Sequence, residues 1–414
     1  MKVPDSLSLA FGKDFEALLS DFVHRENLMD ADIALNSQRF LSRAIAPHIE
    51  KLSSLFNREE KDQSSGLPAY WKNSSNPQHL RLAYFLYFMP CNVFRMASIW
   101  AELSRLGFKW KPEQLRGIEF GAGPASGLCG IAAGETFASV DAPASAQWAL
   151  IEQDQSILEL GARWAETYTR SLGKTDWSTR TFHRKIDLKR GFLPKTAPEF
   201  NLWLMSFYLN ELELPAEELA CLLLDSWDDH LEQEGLVILM EPALRLQSRR
   251  LLELRKALLL EQKKRKQNDY QILLPCLGHQ NCGALANPED WCHEEVTWWR
   301  PPYLRKLDEL THLDRKKLPF SYLVIIKSQR SREDILPVLK QSAEAQRHRL
   351  VSPAHAEGRD LEFFTCSPEG KRRARYRPKN EAEESINRGD ILLGTEIRGD
   401  ENASRIVSIQ TKVE

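Results

Sequence analysis

The feature that most constrains this chain is a change of rhythm near residue 115, where short apolar runs begin to alternate with amphipathic stretches. Gly117–Phe120, Gln147–Ile151, Thr181–Ile186, Phe200–Met205, Leu236–Met240 and Phe320–Ile326 have strand length; Ser156–Leu172 and Ala216–Glu232 have helical periodicity. Parallel strands need crossovers long enough to hold a helix, so the alternation predicts an α/β fold with a mostly parallel sheet covered on both faces. Such a sheet binds ligands at the carboxyl ends of its strands, where the strand order reverses.

The flanks read differently. Before residue 110, Phe15, Leu18, Leu19, Phe22 and Val23 recur at helical spacing, as do Ile33, Leu35, Phe40, Leu41 and Ile45. A polar stretch, Lys61–Ser75, precedes an apolar block, Leu80–Leu103, which Pro90 is expected to divide into two helices. After residue 330 the chain is polar and basic, with strand-like runs at Arg349–Val351, Leu361–Thr365 and Ile391–Leu393. The expected organisation is an N-terminal helical domain (1–110), an α/β domain (111–330) with a cysteine-rich insertion at 270–300, and a small β-rich module (331–414).

The segment Gly117-Ile-Glu-Phe-Gly-Ala-Gly-Pro124 places Gly121, Ala122 and Gly123 directly after the first strand. Glycine there permits a tight turn and close approach of a ligand to the backbone. Glu152 ends the second strand, where a carboxylate accepts ribose hydroxyls, and Asp187 follows the third, where it accepts from an adenine amino group. Together with Glu119, these acids suit an uncharged ribose and a cationic amino-acid end, the features of S-adenosylmethionine. A dinucleotide is less well served, because Ser126 stands at the third glycine position of G-x-G-x-x-G and Glu119 would repel a pyrophosphate. This is the pattern of class I S-adenosylmethionine-dependent methyltransferases, which implies Glu119 near the methionine amino group. Ser206, ending the fourth strand, joins the cofactor set; Tyr208, Asn210 and Glu211 just beyond it are the candidate catalytic groups, although no Asn/Asp-Pro-Pro-aromatic motif is present.

Three cysteines, Cys276, Cys282 and Cys292, gather in one segment with His279 and His293, and Cys366 lies far downstream. Soft thiolates select zinc, copper(I) or an iron–sulfur cluster. The intervals of five and nine residues lack the paired knuckles of structural zinc sites and suit a cluster, with zinc or no metal as alternatives. The two histidines are expected beside such a site rather than as ligands. Cys91, Cys129 and Cys221 sit in apolar helical contexts and read as packing residues. Seven cysteines form no even framework, so a reducing, cytoplasmic location is expected. The N-terminus, with Asp5, Asp14 and Glu16, lacks a signal-peptide layout, and no uninterrupted apolar run approaches membrane-helix length. Lys+Arg 56 against Asp+Glu 58 leave a net charge of −2, so any nucleic-acid site must be a local patch. Two patches stand out: a helix around Leu244–Gln267 with Arg249 and Arg250, and Lys371-Arg372-Arg373 with Arg375 and Arg377. RNA is the expected polyanion.

From about residue 80 to 395 the chain resembles the methyltransferase-like assembly factors of the mitochondrial ribosomal small subunit and their bacterial homologues. The likeness rests on Leu82-Ala-Tyr-Phe-Leu-Tyr-Phe-Met-Pro90 with Asn92, Glu119-Phe-Gly-Ala-Gly-Pro124, Met240-Glu-Pro242, the cysteine segment ending in Asp290-Trp-Cys-His293, and Cys366-Ser-Pro-Glu-Gly-Lys371. It departs at Ala125, where the family pattern usually has glycine, and at Ala243-Leu244. The resemblance implies a Rossmann-like class I methyltransferase sheet and S-adenosylmethionine binding. It also implies a four-iron cluster on Cys276, Cys282, Cys292 and Cys366 and binding to small-subunit rRNA; a monomer is expected. The competing expectations are a non-catalytic assembly factor with a vestigial pocket, and a zinc-stapled methyltransferase acting on a small molecule.

Overall fold

The computed structural model describes residues 13–56, 77–110, 112–137, 143, 145–278, 282–378, 386–399 and 404–413; the polar stretch Lys61–Ser75 and His279 lie outside them. The central sheet contains β1 (Leu115–Phe120), β2 (Ala146–Glu152), β3 (Trp177–His183), β4 (Phe200–Ser206), β5 (Leu231–Pro242), β6 (Tyr270–Leu274) and β8 (Lys317–Lys327), in the order 3-2-1-4-5-8-6. The short β7 (Glu294–Thr297) adds to β8 off this path. Strands β1 to β5 are parallel, and β8 runs antiparallel to both β5 and β6. This is the doubly wound order expected of a Rossmann-like class I methyltransferase, with its reversal between β1 and β4. β3 begins four residues before the apolar run that marked it, because its only buried side chain is Trp177 and its remaining residues line the solvent-facing edge.

The helices before the sheet are α1 (Lys13–Arg25), α2 (Ala46–Phe56), α3 (Pro77–Ala83) and α4 (Met89–Arg105). Pro90 does not separate two helices. α3 and α4 are continuous through a π turn, Tyr84–Phe88, and Pro90 falls in the first turn of α4. The Met89 N–H donates to the Tyr84 carbonyl, and this wider turn absorbs the ring that would collide with a carbonyl one turn back. The rod Pro77–Arg105 is apolar enough by composition to cross a membrane, but 94% of its most apolar window is buried inside the protein, as in a core helix.

Crossovers are made by α5 (Ser126–Phe137), α6 (Gln155–Ser171), α7 (Ala216–His230) and α8 (Arg245–Arg265), and α9 (Pro302–Thr311) precedes β8. α4 lies on α5 because Gly130 and Gly134 leave no side chain there: a Cβ at either would sit 2.4 Å from Met96 Cβ or 2.7 Å from Trp100 Cβ. α1 closes over α6, with Phe15 and Phe22 meeting Trp164 edge-on at ring centroid distances of 5.6 and 5.2 Å. The largest hydrophobic cluster runs unbroken from Phe15 through the sheet to Leu339 and Leu393.

A second sheet holds β9 (His348–Leu350), β10 (His355–Glu357), β11 (Asp360–Ser367), β12 (Gly370–Tyr376), β13 (Ile391–Leu393), β14 (Glu396–Arg398), β15 (Ser404–Ser408) and β16 (Thr411–Val413). Its order is 14-15-12-11-9-13-16, with β10 on β11, around a small core of Leu350, Phe363, Ala374, Tyr376, Leu392 and Ile406. Arg349 on β9 ties this sheet to the rest of the molecule. Its guanidinium reaches Glu102 on α4 and Glu294 on β7 (Nε to Oε1 2.9 Å), while the Tyr322 hydroxyl on β8 donates to Glu102 at 2.7 Å. All four residues are buried.

Candidate functional site

A cavity of about 800 Å³ opens over the carboxyl ends of β1, β2, β4 and β5. Its floor is the glycine turn. Gly121 and Gly123 take left-handed backbone (φ 61° and 48°), which leaves room for the Tyr208 ring against Gly121, where a Cβ would meet it at 2.6 Å. Ala125 adopts the same left-handed conformation at φ 58°, which explains why the family pattern favours glycine there; its methyl is buried and does not line the cavity. Gly161 on α6 lies so close beneath the turn that a Cβ would meet the Gly123 carbonyl oxygen and Pro124 at 2.7 Å. Nothing in the sequence pattern marked Gly161, because its partner Gly123 lies far back in the chain.

Glu152 lines the cavity at the end of β2. One carboxylate oxygen accepts from the Gly123 N–H at 3.0 Å, the other from Gln153 and Asp154 N–H at 2.7 and 3.0 Å, so loop and acid hold each other in place. Burial raises its carboxyl above the ordinary range despite these bonds. Asp154 is occupied elsewhere, accepting from Ile157 N–H at the start of α6 and from Arg81. The Ser206 hydroxyl is buried on the cavity wall without a hydrogen-bond partner among the described residues, and Tyr208, Asn210 and Glu211 line the same wall. Burial pushes the Tyr208 phenol far above its usual range, so it can donate a hydrogen bond but cannot serve as a base near neutrality.

Three expected cofactor residues stand elsewhere, and Ala122, between the two glycines, is buried and does not line the cavity. Glu119 does not line the cavity: its two oxygens accept from Gly127 and Leu128 N–H at 2.8 and 3.0 Å, which caps the start of α5. Burial lifts its carboxyl to about 7 against the pull of those bonds. Asp187 lies in an exposed turn four residues past β3, where it accepts from Lys189 N–H and pairs with Arg190 at 3.5 Å; Arg184, Lys185 and Ile186 reach the cavity instead.

The four cysteines of interest meet. Cys276, Cys282 and Cys292 line a small cavity of about 50 Å³ together with Cys366 from β11, although ninety residues of chain separate Cys366 from Cys276. Burial pushes the Cys366 thiol up to about 12 and raises Cys282 and Cys292 as well. Among the described residues no three His, Cys, Asp or Glu side chains are disposed to hold a single metal ion. The buried Arg255 of α8 faces this cavity and donates to the Gly278 carbonyl at 3.0 Å; the sequence placed it in a basic face, and only packing turns it inward. Trp291 borders both cavities, so Asp290-Trp-Cys-His293 is the wall between them, with the Trp291 and His293 rings stacked 6.1 Å apart. Cys91 and Cys129 are buried, and Cys221 is half-buried on α7.

The basic residues expected to meet RNA are engaged within the protein. Arg249 donates to the Asn287 and Asp290 carbonyls at 2.8 and 2.7 Å, bracing the cysteine segment, and Arg250 donates to the Leu212 and Leu214 carbonyls. Lys371 pairs with Asp290, Arg372 with Glu369, Arg373 and Arg375 with Glu362, and Arg377 with Asp360. Arg249 and Arg250 are thereby engaged by backbone carbonyls, whereas Arg373, Arg375 and Arg377 stay about half-exposed within their ion pairs. Apart from Glu369, three residues before Arg372, the acids that pair with the five β12-region cations are more distant in the chain, which linear charge counting cannot see.

A family model described as mitochondrial small ribosomal subunit Rsm22 matches residues 79–385. The chain belongs to the Rsm22 family. No curated protein matches it. Among solved structures, the plantazolicin methyltransferase BpumL bound to SAH is 14% identical, with 68% of this chain and 98% of that one covered and a TM-score of 0.36. The N-terminal domain of human METTL16 bound to SAH is 11% identical over 57% and 70%, TM-score 0.29. CrArsM, an arsenic(III) S-adenosylmethionine methyltransferase from Chlamydomonas reinhardtii, is 13% identical over 58% and 73%, TM-score 0.28. With such distant neighbours, the strand order itself establishes the fold.

Proposed function

We propose that this Rsm22-family protein binds S-adenosylmethionine in the large cavity, carries a four-iron cluster on Cys276, Cys282, Cys292 and Cys366, and acts on the small ribosomal subunit through its rRNA. The observation that carries the reading is the shared wall. Four thiols from remote parts of the chain surround one small cavity, and the Trp291 that borders it also borders the crevice over the strand ends.

The residues present fit the cofactor. Glu152 offers a carboxylate at the ribose position, the Gly121–Gly123 backbone admits close approach, and the Ser206 hydroxyl has bonding capacity to spare. S-adenosylmethionine, when bound, supplies a methyl group on a good leaving group, and the protein's part is orientation and exclusion of water. Tyr208, held as a phenol, and Asn210 can position an acceptor there. Four soft thiols arrayed around one cavity suit a cluster, and the Arg255 cation would balance thiolate charge.

Anaerobically purified protein is expected to be brown, with about four irons per chain, and Cys276→Ser to lose both colour and iron. Stoichiometric zinc in a colourless protein would sink the cluster. Calorimetric titration with S-adenosylhomocysteine is expected to show one site that Gly123→Arg abolishes; equal binding by that variant would move the cofactor elsewhere.

A further inference from the structure

The lining of the large cavity carries charges of both signs, with Glu152 of β2 beside Arg184 and Lys185 at one end. At the other end, beyond β4 and towards β8, two guanidinium groups line the wall: Arg95 from α4 and Arg315 from the segment before β8.

Both cations lack a carboxylate partner among the described residues. Arg95 is buried at 7% exposure, and its hydrogen bond is to the neutral Asn92 side chain, Nη1 to Oδ1 at 2.6 Å. Its Nε is buried without a partner, and so is the Nε of Arg315. Each guanidinium lies over aromatic rings, Arg95 over Phe207 at 5.6 Å and Arg315 over Tyr87 and Phe88 at 5.6 and 5.7 Å, which fixes their positions without neutralising them. Nearby acids are engaged: Glu295 pairs with Lys317, and Asp308 pairs with Arg300 and accepts from the Arg315 backbone N–H at 3.1 Å. Arg95, buried, and Arg315, half-buried, face one cavity with no salt-bridging carboxylate among the described residues, which is costly in the free protein. An oxyanion in the ligand removes that cost, and paired guanidinium forks match a phosphate.

We propose that Arg95 and Arg315 form the phosphate-binding end of the cavity and hold a phosphodiester of a single-stranded RNA segment whose base enters beside Trp291 and His293. The Trp291 side chain is 37% exposed and stacked on His293, a platform of the kind on which unpaired bases rest. This rests on the proposed function, but places anion recognition inside the cavity and not on the paired residues of β12.

The test uses the full-length protein, a mixed-sequence single-stranded oligoribonucleotide, and Arg95→Gln, Arg315→Gln and Arg315→Lys. Affinity is measured across a salt series, with S-adenosylhomocysteine titrated in parallel. Each Gln variant is expected to weaken RNA binding about tenfold and to lower the slope of log K against log salt by about 0.7, the contribution of one phosphate contact on a single strand. Arg315→Lys should keep most of the slope, and S-adenosylhomocysteine affinity should stay within twofold, which also reports that the variants are folded. A wild-type protein that binds no RNA overturns the proposed function and this inference together. Salt-dependent wild-type binding with unchanged Gln variants overturns the inference alone. Loss of S-adenosylhomocysteine affinity instead assigns the pair to the cofactor carboxylate and equally overturns it.

Discussion

Gly161 shows how a residue without functional groups can control the site. It sits where α6 passes under the glycine turn, and any side chain would push on the Gly123 carbonyl and Pro124 backbone, neither of which can swing aside. Gly161→Ala should therefore displace the turn by a few tenths of an ångström and cost roughly 1–3 kcal/mol of stability. It should also weaken S-adenosylhomocysteine binding at least tenfold by calorimetry, and unchanged affinity would show that the turn does not shape the site. Among the acids, Glu152 was legible from its place at a strand end, and it lines the cavity. Glu119 was not, because its sequence position cannot reveal that two N–H groups of the following helix claim both oxygens. Asp187 misled for a simpler reason: β3 stops at His183, and the four-residue overrun carries the acid into solvent.

At the scale of elements, the joint between α4 and α5 fixes the roof over the site. Gly130 and Gly134 face Met96 and Trp100, and the backbone of α4 approaches too, with the Val93 carbonyl 2.8 Å from where a Gly130 Cβ would be. Gly130→Ala should lower stability by roughly 1–3 kcal/mol in urea denaturation, since no rotamer change relieves contact with backbone. An unchanged midpoint would mean the helices can separate freely. The continuous rod through Pro90 belongs to this scale as well. A proline inside an apolar block ordinarily signals a break. Here the preceding π turn supplies the slack, and the aromatic rings of Tyr84, Phe85, Tyr87 and Phe88 are distributed between core and cavity wall.

For the whole molecule, the Glu102–Arg349–Glu294 network holds the second sheet against the first. Burial alone would raise Glu294, but the Arg349 guanidinium holds its carboxyl at about 2, against an ordinary 4.5. Folded protein thus binds this proton less readily than unfolded protein does. The contribution is complete above about pH 4.5 and disappears as pH falls towards 2. Arg349→Met removes the guanidinium shared by two buried carboxylates, leaving Glu102 with Arg105 and the Tyr322 hydroxyl, at a cost of roughly 3–5 kcal/mol near neutrality. Its sign with pH should reverse, with stability falling as pH rises through the carboxylate range. Denaturation midpoints of wild type and variant at pH 4 and pH 7 measure this, and parallel pH profiles would dismiss the network as the clamp.

The sequence alone determined the alternation of strands and helices, the glycine turn and the gathering of cysteines. Each is a local pattern: periodicity reports which face is buried, and glycine reports where the backbone needs room. The tertiary structure decided what those patterns do. It brought Cys366 to the other three thiols, turned Arg255 inward, gave the seven surface cations their partners, and left Arg95 and Arg315 uncompensated in the cavity. Charge and coordination depend on distances through space, and residues far apart in the chain set those distances only once the core has packed.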